Sequence, residues 1–471
     1  MTVLTPDLCI IGGGSGGLSL AAGAAQMGAD TVLFEGGKMG GDCLNYGCVP
    51  SKAMLAAAKA AHAAQGKAEM GISSKGVDVD FKAVKAHVAT VIAGIAPHDS
   101  VERFEGLGVC VIQDYAKFTG RHEISGGGVV VRPKFTVIAT GSSAFVPPIP
   151  GIDSVPYLTN ETIFADPTRP EHLIVIGGGP IGVEMAQAHA RLGVQVTLIE
   201  GAPTIMPRDH QGLVAALKPR LEADGIRLIE GHGVTGVSGK AGAIDVAVDG
   251  IGTVSGSHLL VATGRKPNIN SLDLEKAGVA YQRQGITTDK RLRTSNKRIF
   301  AIGDVAGRQQ FTHVAGYHAG IVIRNILFRL PAKIDDSAVP WCTYTDPELA
   351  HVGMTLKAAS DQGIPAKEVE FALDGNDRAR AELRTEGKVI AVVDSTGRIL
   401  GASILAPQAG EMIQPWVLAL SKKLKIGAMA SYIAPYPTYG EASKRAAGSY
   451  YTPSLFSERT KKIVRLLLRL P

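Results

Sequence analysis

A chain of 471 residues, 45% hydrophobic and 20% charged, is long enough for about three domains of ordinary size, each with its own core. Most of its net charge of +6 gathers at one end, where Arg459, Lys461, Lys462, Arg465 and Arg469 stand against Glu458, so the mildly basic body carries no nucleic-acid footprint. Five cysteines, Cys9, Cys43, Cys48, Cys110 and Cys342, are too few and too odd a number for a secreted disulfide scaffold, and no apolar run reaches the roughly 18 residues a spanning helix needs.

The chain enters an apolar strand pattern at Leu8 without a basic head or cleavage site, so no secretory signal is expected. A cytoplasmic setting follows, in which a disulfide is catalytic rather than structural. The first strand opens CIIGGGSGGLSLAAGAAQMGADTVLFEGG from Cys9, and IVIGGGPIGVEMAQAHARLGVQVTLIEGA repeats it from Ile174. An offset of 165 maps Gly12 to Gly177, Gly14 to Gly179, Gly17 to Gly182 and Glu35 to Glu200. Each copy parses as strand, Gly-rich turn, helix, second strand and acid. The glycines permit a tight turn whose backbone N–H groups reach a pyrophosphate at the helix N-terminus, and the acid accepts from a ribose diol. The plain alternative is two Gly-rich turns without ligands, but two complete copies with matched acids point to two dinucleotides. A carboxylate at Glu200 favours a free 2′-hydroxyl, hence NAD(H) over NADP(H).

Between the copies lies GGDCLNYGCVPSK, Gly40 to Lys52. The stretch from Ser51 to Ala64 reads as a helix with Pro50 in its first turn, which places Cys48 near a helix N-terminus, where the dipole and Lys52 favour a thiolate. A lowered thiol pKa is what a redox pair needs. The alternatives, a metal site or two incidental cysteines, find little support, since the spacing lacks a second Cys or His pair and no metal set is expected. Cys9, Cys110 and Cys342 fall in apolar strand patterns and are expected in the core.

GGDCLNYGCVPSK closely resembles the redox motif of the class I pyridine nucleotide-disulfide oxidoreductases, a family that includes dihydrolipoyl dehydrogenase, glutathione reductase and mercuric reductase. The likeness runs along nearly the whole chain: VIATGS at Val137 and VATGRKPN at Val261 resemble its two ATG segments, TSNKRIFAIGDVAG its second FAD motif, and YTDPELAHVG the start of its interface domain. It implies an α/β fold with two Rossmann-like dinucleotide-binding domains, for FAD and NAD, and a C-terminal α+β dimerisation domain. The segments would be 1–150 and 271–338 for FAD, 151–270 for the nicotinamide nucleotide, 339–452 for the interface, and 453–471 as a basic helix.

By that resemblance Cys48 would be the flavin-proximal thiolate and Cys43 the interchange thiol, with Lys52 near the flavin and paired with Glu184. The FAD contacts would be Gly12, Gly14, Gly17, Glu35, Gly41, Asp42, Lys52, Ala116, Gly141 and Asp304. The nicotinamide nucleotide would fall to Gly177, Gly179, Ile181, Gly182, Glu200 and Gly264. The family implies a homodimer in which Tyr436 and Glu441 complete the active site of the neighbouring subunit. Electrons would pass from nicotinamide through FAD to Cys43–Cys48 and on to a disulfide, quinone or metal acceptor.

The chain departs from the family at three places. Asp42 stands where Thr is usual, Pro180 where an aromatic gate often covers the nicotinamide, and Tyr436 where the disulfide-reducing members carry a His. A phenol titrates near pH 10 and is a poor proton carrier at neutrality, so lipoamide or glutathione reduction is not favoured. Tyr436 also suits a packing role at a dimer interface. The APYPTYGE segment resembles mercuric reductases, but within these residues there is no GMTCxxC motif and no cysteine after Cys342, so a dedicated mercuric reductase is not expected. Dihydrolipoyl dehydrogenase, a mercuric reductase-like enzyme and a membrane-associated redox-sensing or electron-transfer flavoprotein are therefore the competing readings.

The tail LFSERTKKIVRLLLRL from Leu455 segregates Ile463, Val464, Leu466, Leu467, Leu468 and Leu470 from Lys461, Lys462, Arg465 and Arg469 on a helical wheel. Docking on its own protein is the expectation; peripheral contact with the inner membrane surface is the alternative.

Overall fold

The computed structural model describes residues 2–470. They form two compact units, one of residues up to Pro203 with Arg227–Asp335, the other of Thr204–Ile226 with residues from Asp336 onward.

The first unit holds both repeats. Strand β1 (Leu8–Ile11), helix α1 (Ser15–Gln26) and strand β2 (Thr31–Phe34) form the first copy, followed by the short α2 (Gly41–Asn45) and long α3 (Cys48–Ala64). With β3 (Val109–Ile112), β4 (Phe135–Ile138) and, much later, β9 (Ile299–Ala301), the strands make a sheet of order β9-β4-β1-β2-β3. All its pairs are parallel, with Leu8 opposite Thr31 and Phe135 opposite Leu8. The strands read as continuous apolar runs because both faces are covered: Leu8 and Ile10 join one buried layer, Cys9 and Ile11 the other.

The second copy runs through β5 (His172–Ile176), α4 (Pro180–Arg191) and β6 (Gln195–Glu200). Strands β7 (Ile226–Glu230) and β8 (His258–Val261) complete a sheet of order β7-β6-β5-β8. After β9, helix α5 (Thr312–Ile326) returns against α1.

In the second unit, β10 (Pro340–Thr343), β11 (Glu348–Gly353), β12 (Ala366–Ala372), β13 (Lys388–Asp394) and β14 (Ile399–Ala406) form an antiparallel sheet of order β10-β11-β14-β13-β12. Trp416 is wholly buried against it, its indole N–H donated to Ser443 at 3.0 Å. Helix α6 (Glu441–Ser449) packs on β12 and β13, and α7 (Glu458–Leu467) ends the chain.

Two expectations are corrected. Cys9 is fully buried, but Cys110 is exposed and Cys342 only half-buried. Cys110 lies on the edge strand β3, where alternation buries Val109 and turns its neighbour outward. The tail does form a helix, yet no residue of α7 is buried, so it does not dock on its own chain.

Candidate active site

The two Gly-rich turns have the same construction. Gly12 and Gly177 take φ of +111° and +109°, and a Cβ there would stand 2.4 Å from Ala139 O and 2.5 Å from Ala262 O. A Cβ at Gly17 or Gly182 would stand 1.9 Å from the carbonyl oxygen of Gly12 or Gly177. Gly14 and Gly179 cap α1 and α4, neither helix has a side-chain cap, and neither carries an acid in its first turn. A Cβ on Gly14 would meet only Gly41 Cα, at 3.9 Å, and one on Gly141, Gly179 or Gly264 would meet nothing within 4 Å. These helix N-termini are open and uncapped, which fits a pyrophosphate.

Each acid is held in the same bracket. Glu35 accepts from the N–H of Gly13 and of Gly37, both at 2.6 Å; Glu200 accepts from Gly178 at 2.6 Å and Ala202 at 2.7 Å. The carboxylates are thereby aimed, with lone pairs left for a ribose diol. A pocket beside Glu200 is lined by Gly177, Gly201, His232 and Thr263 and by no Lys or Arg. Ile181 is exposed next to Pro180, which opens α4, whereas Ala116 is buried in an apolar layer.

Helix α3 begins at Cys48 itself, with Gly47 as N-cap and no side-chain cap, so the sulfur sits at the positive end of a long helix. Cys48 Sγ lies 3.3 Å from Thr312 Oγ1 at the start of α5. Both cysteines are thiols here. The Cys48 thiol is pulled down to about 6, first by a hydrogen bond from Cys43, then by Thr312 and the Lys52 charge, against desolvation and Asp42. The Cys43 thiol is pushed up, chiefly because it donates to Cys48, and then by burial. The pair therefore shares one proton unequally: a thiolate at Cys48, a thiol at Cys43. Cys48 is exposed to solvent although protein surrounds it on most sides, which screens but does not remove these effects.

Lys52, one turn into α3, donates to Glu184 of α4 at 2.8 Å; Glu184 is 6% exposed and Lys52 38%. This joins the redox helix to the second repeat. Asp304 is almost enclosed, its carboxyl pushed up by burial, and accepts from Ser142 Oγ at 2.5 Å. Asp42 forms an ion pair with Arg265 at 3.0 Å and accepts a hydrogen bond from Asn160 at 3.0 Å. Thr312, Ser142, Arg265 and Asn160 went unassigned in the sequence; Ser142 and Arg265 each follow an ATG segment directly, the one signal that pointed at them.

Tyr436 and Glu441 lie in the second unit. Tyr436 is 69% exposed and donates its hydroxyl to Asp377 Oδ2 at 2.9 Å, not to Glu441. That bond and the adjacent charge push its phenol further up, so it stays protonated.

Two dinucleotide turns of one design, with an acidified cysteine pair at the head of the helix between them, define a two-nucleotide dithiol–disulfide redox protein. Residues 6–319 match the pyridine nucleotide-disulphide oxidoreductase family and residues 339–447 its dimerisation domain, and the chain belongs to that family. It is an FAD-dependent enzyme class that also uses a pyridine nucleotide. The chain is 35% identical over 446 residues to a mercuric reductase of Staphylococcus aureus, covering 94% of this chain and 82% of that one. It is 32% identical over 458 residues to a dihydrolipoyl dehydrogenase of Geobacillus stearothermophilus, covering 94% and 95%. The solved structure of the HOCl-induced flavoprotein disulfide reductase RclA from Escherichia coli superposes with a TM-score of 0.85 at 29% identity, over 94% of this chain and 99% of that one. RclA has also been solved as a Cu(II) complex. Among the described residues, no helix is long and apolar enough to cross a membrane, and no cluster of His, Cys, Asp and Glu forms a metal site.

Proposed function

We propose that this enzyme oxidises NADH and passes the electrons through FAD to Cys43–Cys48 and on to a thiophilic metal ion. FAD, when bound, relays electrons between nicotinamide and the cysteine pair. The residues placed to hold it are the Gly12–Gly17 turn, Glu35, Gly41, Asp42, Lys52, Gly141 and Asp304. The observation that carries the proposal is the unequal pair itself: Cys48 presents a thiolate while Cys43 keeps its proton. The domain division given above belongs to this reading, as does a homodimer through residues 339–447.

The acceptor follows from proton demand. Reducing a disulfide makes a leaving thiolate that must be protonated, the task of the family's His. Tyr436, kept protonated by Asp377, is a poor shuttle at neutral pH. A metal ion takes electrons without a proton: the thiolate–thiol pair becomes a disulfide, releasing the one proton of Cys43 and two electrons that reduce two Cu(II) to Cu(I). The mercuric reductases and the Cu(II) complex of RclA among the relatives support the same class. Glu200 and the absence of a cationic side chain from its pocket support NAD(H) over NADP(H). The test is stopped-flow oxidation of NADH and NADPH by the FAD-loaded enzyme with Cu(II), Hg(II), lipoamide and glutathione disulfide. Faster turnover with lipoamide than with either metal refutes the metal reading and favours a dihydrolipoyl dehydrogenase.

A second reading, peripheral membrane attachment, is favoured by α7. Ile463, Val464, Leu466, Leu467, Leu468 and Leu470 are all exposed, while the helical period sets Lys461, Lys462 and Arg465 on the opposite side, with Arg469 just beyond the helix end. The occupant that suits an apolar stripe beside four cations is an anionic lipid surface. Co-sedimentation with anionic vesicles, compared with a chain truncated before Pro453, tests it; equal binding of both refutes it.

A further inference from the structure

Asp42, where the family usually has Thr, is the most specific departure inside the redox motif, and its contacts span the cysteine loop. Asn160 is 7% exposed, and its Nδ2 reaches Asp42 Oδ1 at 3.0 Å and the Tyr46 carbonyl at 3.3 Å. One amide thus grips the residue before Cys43 and the residue two before Cys48. The same Asp42 oxygen takes Arg265 Nη2 at 3.0 Å. Arg265 is in turn fixed by Ser142, with Nε on the hydroxyl and Nη2 on the carbonyl, both at 2.7 Å. The carboxylate also folds back over the far end of the loop: a Cβ at Gly47 would stand 2.7 Å from Asp42 Oδ2 and 3.1 Å from the Asp42 carbonyl oxygen. A threonine could neither pair with Arg265 as an ion nor reach across in this way.

We propose that Asn160, Asp42 and Arg265 form a clip that pre-organises the loop from Cys43 to Cys48 and holds the couple towards its disulfide form. This rests on the redox reading of the pair. Joining two thiols demands a narrow sulfur and Cβ geometry. In a loose loop that geometry is bought with chain entropy at each oxidation; in a clipped loop the entropy is already lost on folding. These are positioning residues, acting through the backbone that carries the cysteines.

The FAD-loaded protein is equilibrated with mixtures of reduced and oxidised dithiothreitol, quenched by alkylation, and its Cys43–Cys48 disulfide quantified by mass spectrometry. In this equilibrium two protein thiols lose two electrons and two protons to the dithiothreitol disulfide, which becomes the dithiol. Asn160→Ala is expected to lower the oxidation constant about tenfold, which is about 30 mV for a two-electron couple. Asp42→Thr is expected to lower it about threefold, and the double variant no further than Asn160→Ala alone, because both act through one clip. An unchanged constant in the folded single variants, or strictly additive effects, overturns the proposal. Should Asn160→Ala fail to fold, Asp42→Asn keeps an oxygen acceptor and removes the ion pair; a constant equal to that of the parent protein overturns the proposal there too. The measurement needs no acceptor, so failure of the metal reading leaves its outcome intact.

Discussion

Replacing Cys43 with alanine removes the largest support of the Cys48 thiolate. In the dithiol, Cys48 sits at about 6 rather than the ordinary 9.0, with the hydrogen bond from Cys43 as the first cause. A hydrogen bond to a charged group contributes roughly 1.5–3 kcal/mol. Cys48 opens to solvent, so the low end of that range applies, about 1.5 kcal/mol or roughly one pK unit. The Cys48 midpoint should therefore rise to about 7 in Cys43→Ala. The assay is the rate of iodoacetamide labelling of the Cys48 peptide against pH. The exposed Cys110, whose thiol is pushed up by burial and by Asp30 and Glu105, serves as an internal reference that reacts only at higher pH. Thr312→Val should move the midpoint the same way by less, and Asp42→Asn the opposite way, since that carboxylate opposes the thiolate. A midpoint that stays near 6 or falls in Cys43→Ala would show that the helix terminus and Lys52, not the neighbouring thiol, make Cys48 acidic. The sign extends to stability: a thiol depressed on folding contributes stability above its unfolded value, and that contribution is lost as pH falls through about 6.

Four further outcomes follow. Lys52→Met should destabilise the fold more than Glu184→Gln, by roughly 1–2 kcal/mol and read as a lower melting temperature, because it strips the 2.8 Å cation from a buried carboxylate whereas water can solvate the half-exposed lysine; equal melts would contradict this. Glu200→Ala should raise the KM for NADH about tenfold, the ~1.4 kcal/mol of lost ribose hydrogen bonding, and narrow the preference over NADPH; an unchanged ratio would count against Glu200 as the selector. Tyr436→Phe should leave the melting temperature unchanged, since the phenol is exposed, so any loss of turnover in that variant reports chemistry rather than folding. Asp209 is buried, bonded to Trp341 Nε1 at 2.8 Å, and pushed up to about 6 by burial. Between its ordinary value and about 6 the folded state holds a proton the unfolded chain gives up, so stability falls as pH rises through that window. Asp209→Asn keeps the acceptor for Trp341 and should stabilise at pH ~8 by ~1–2 kcal/mol and hardly at pH ~4; equal effects at both would contradict a titrating carboxylate.

The repeat was legible in the sequence as a pattern of strand, turn, helix, strand and acid. The glycines and acids that match at an offset of 165 also match in φ, in close approach and in the two-sided bracket on each carboxylate. Such features depend on residues a few positions apart within one strand–turn–helix unit, and local pattern suffices for them. The Lys52–Glu184 pair, 132 residues apart, was legible only through the family resemblance, and the structure forms it. What the sequence hid depends on sheet edges and on distant chain segments meeting. An apolar strand pattern predicted a buried Cys110, but the strand is an edge. The period of the tail sorted its faces but could not say what covers them, and in this chain none of the described residues of α7 is buried. Thr312 meets Cys48 from 264 residues away, and Asn160 meets Asp42 from 118.

Those distant partners change how the cysteine pair is understood. Helix start, Lys52 and a neighbouring thiol are all present within the motif itself and account for an acidic Cys48. They do not account for Asp42, a negative charge that works against the thiolate. A carboxylate that opposes the reactive form, yet binds Arg265 and the same Asn160 amide that holds the Tyr46 carbonyl, trades acidity for geometry. For an acceptor that needs no proton, the availability of the closed, two-electron disulfide matters more than an extreme thiolate pKa. If the acceptor is the metal ion proposed above, Asp at 42 and Tyr at 436 answer one requirement: a rigid pair that delivers electrons and asks for no proton in return.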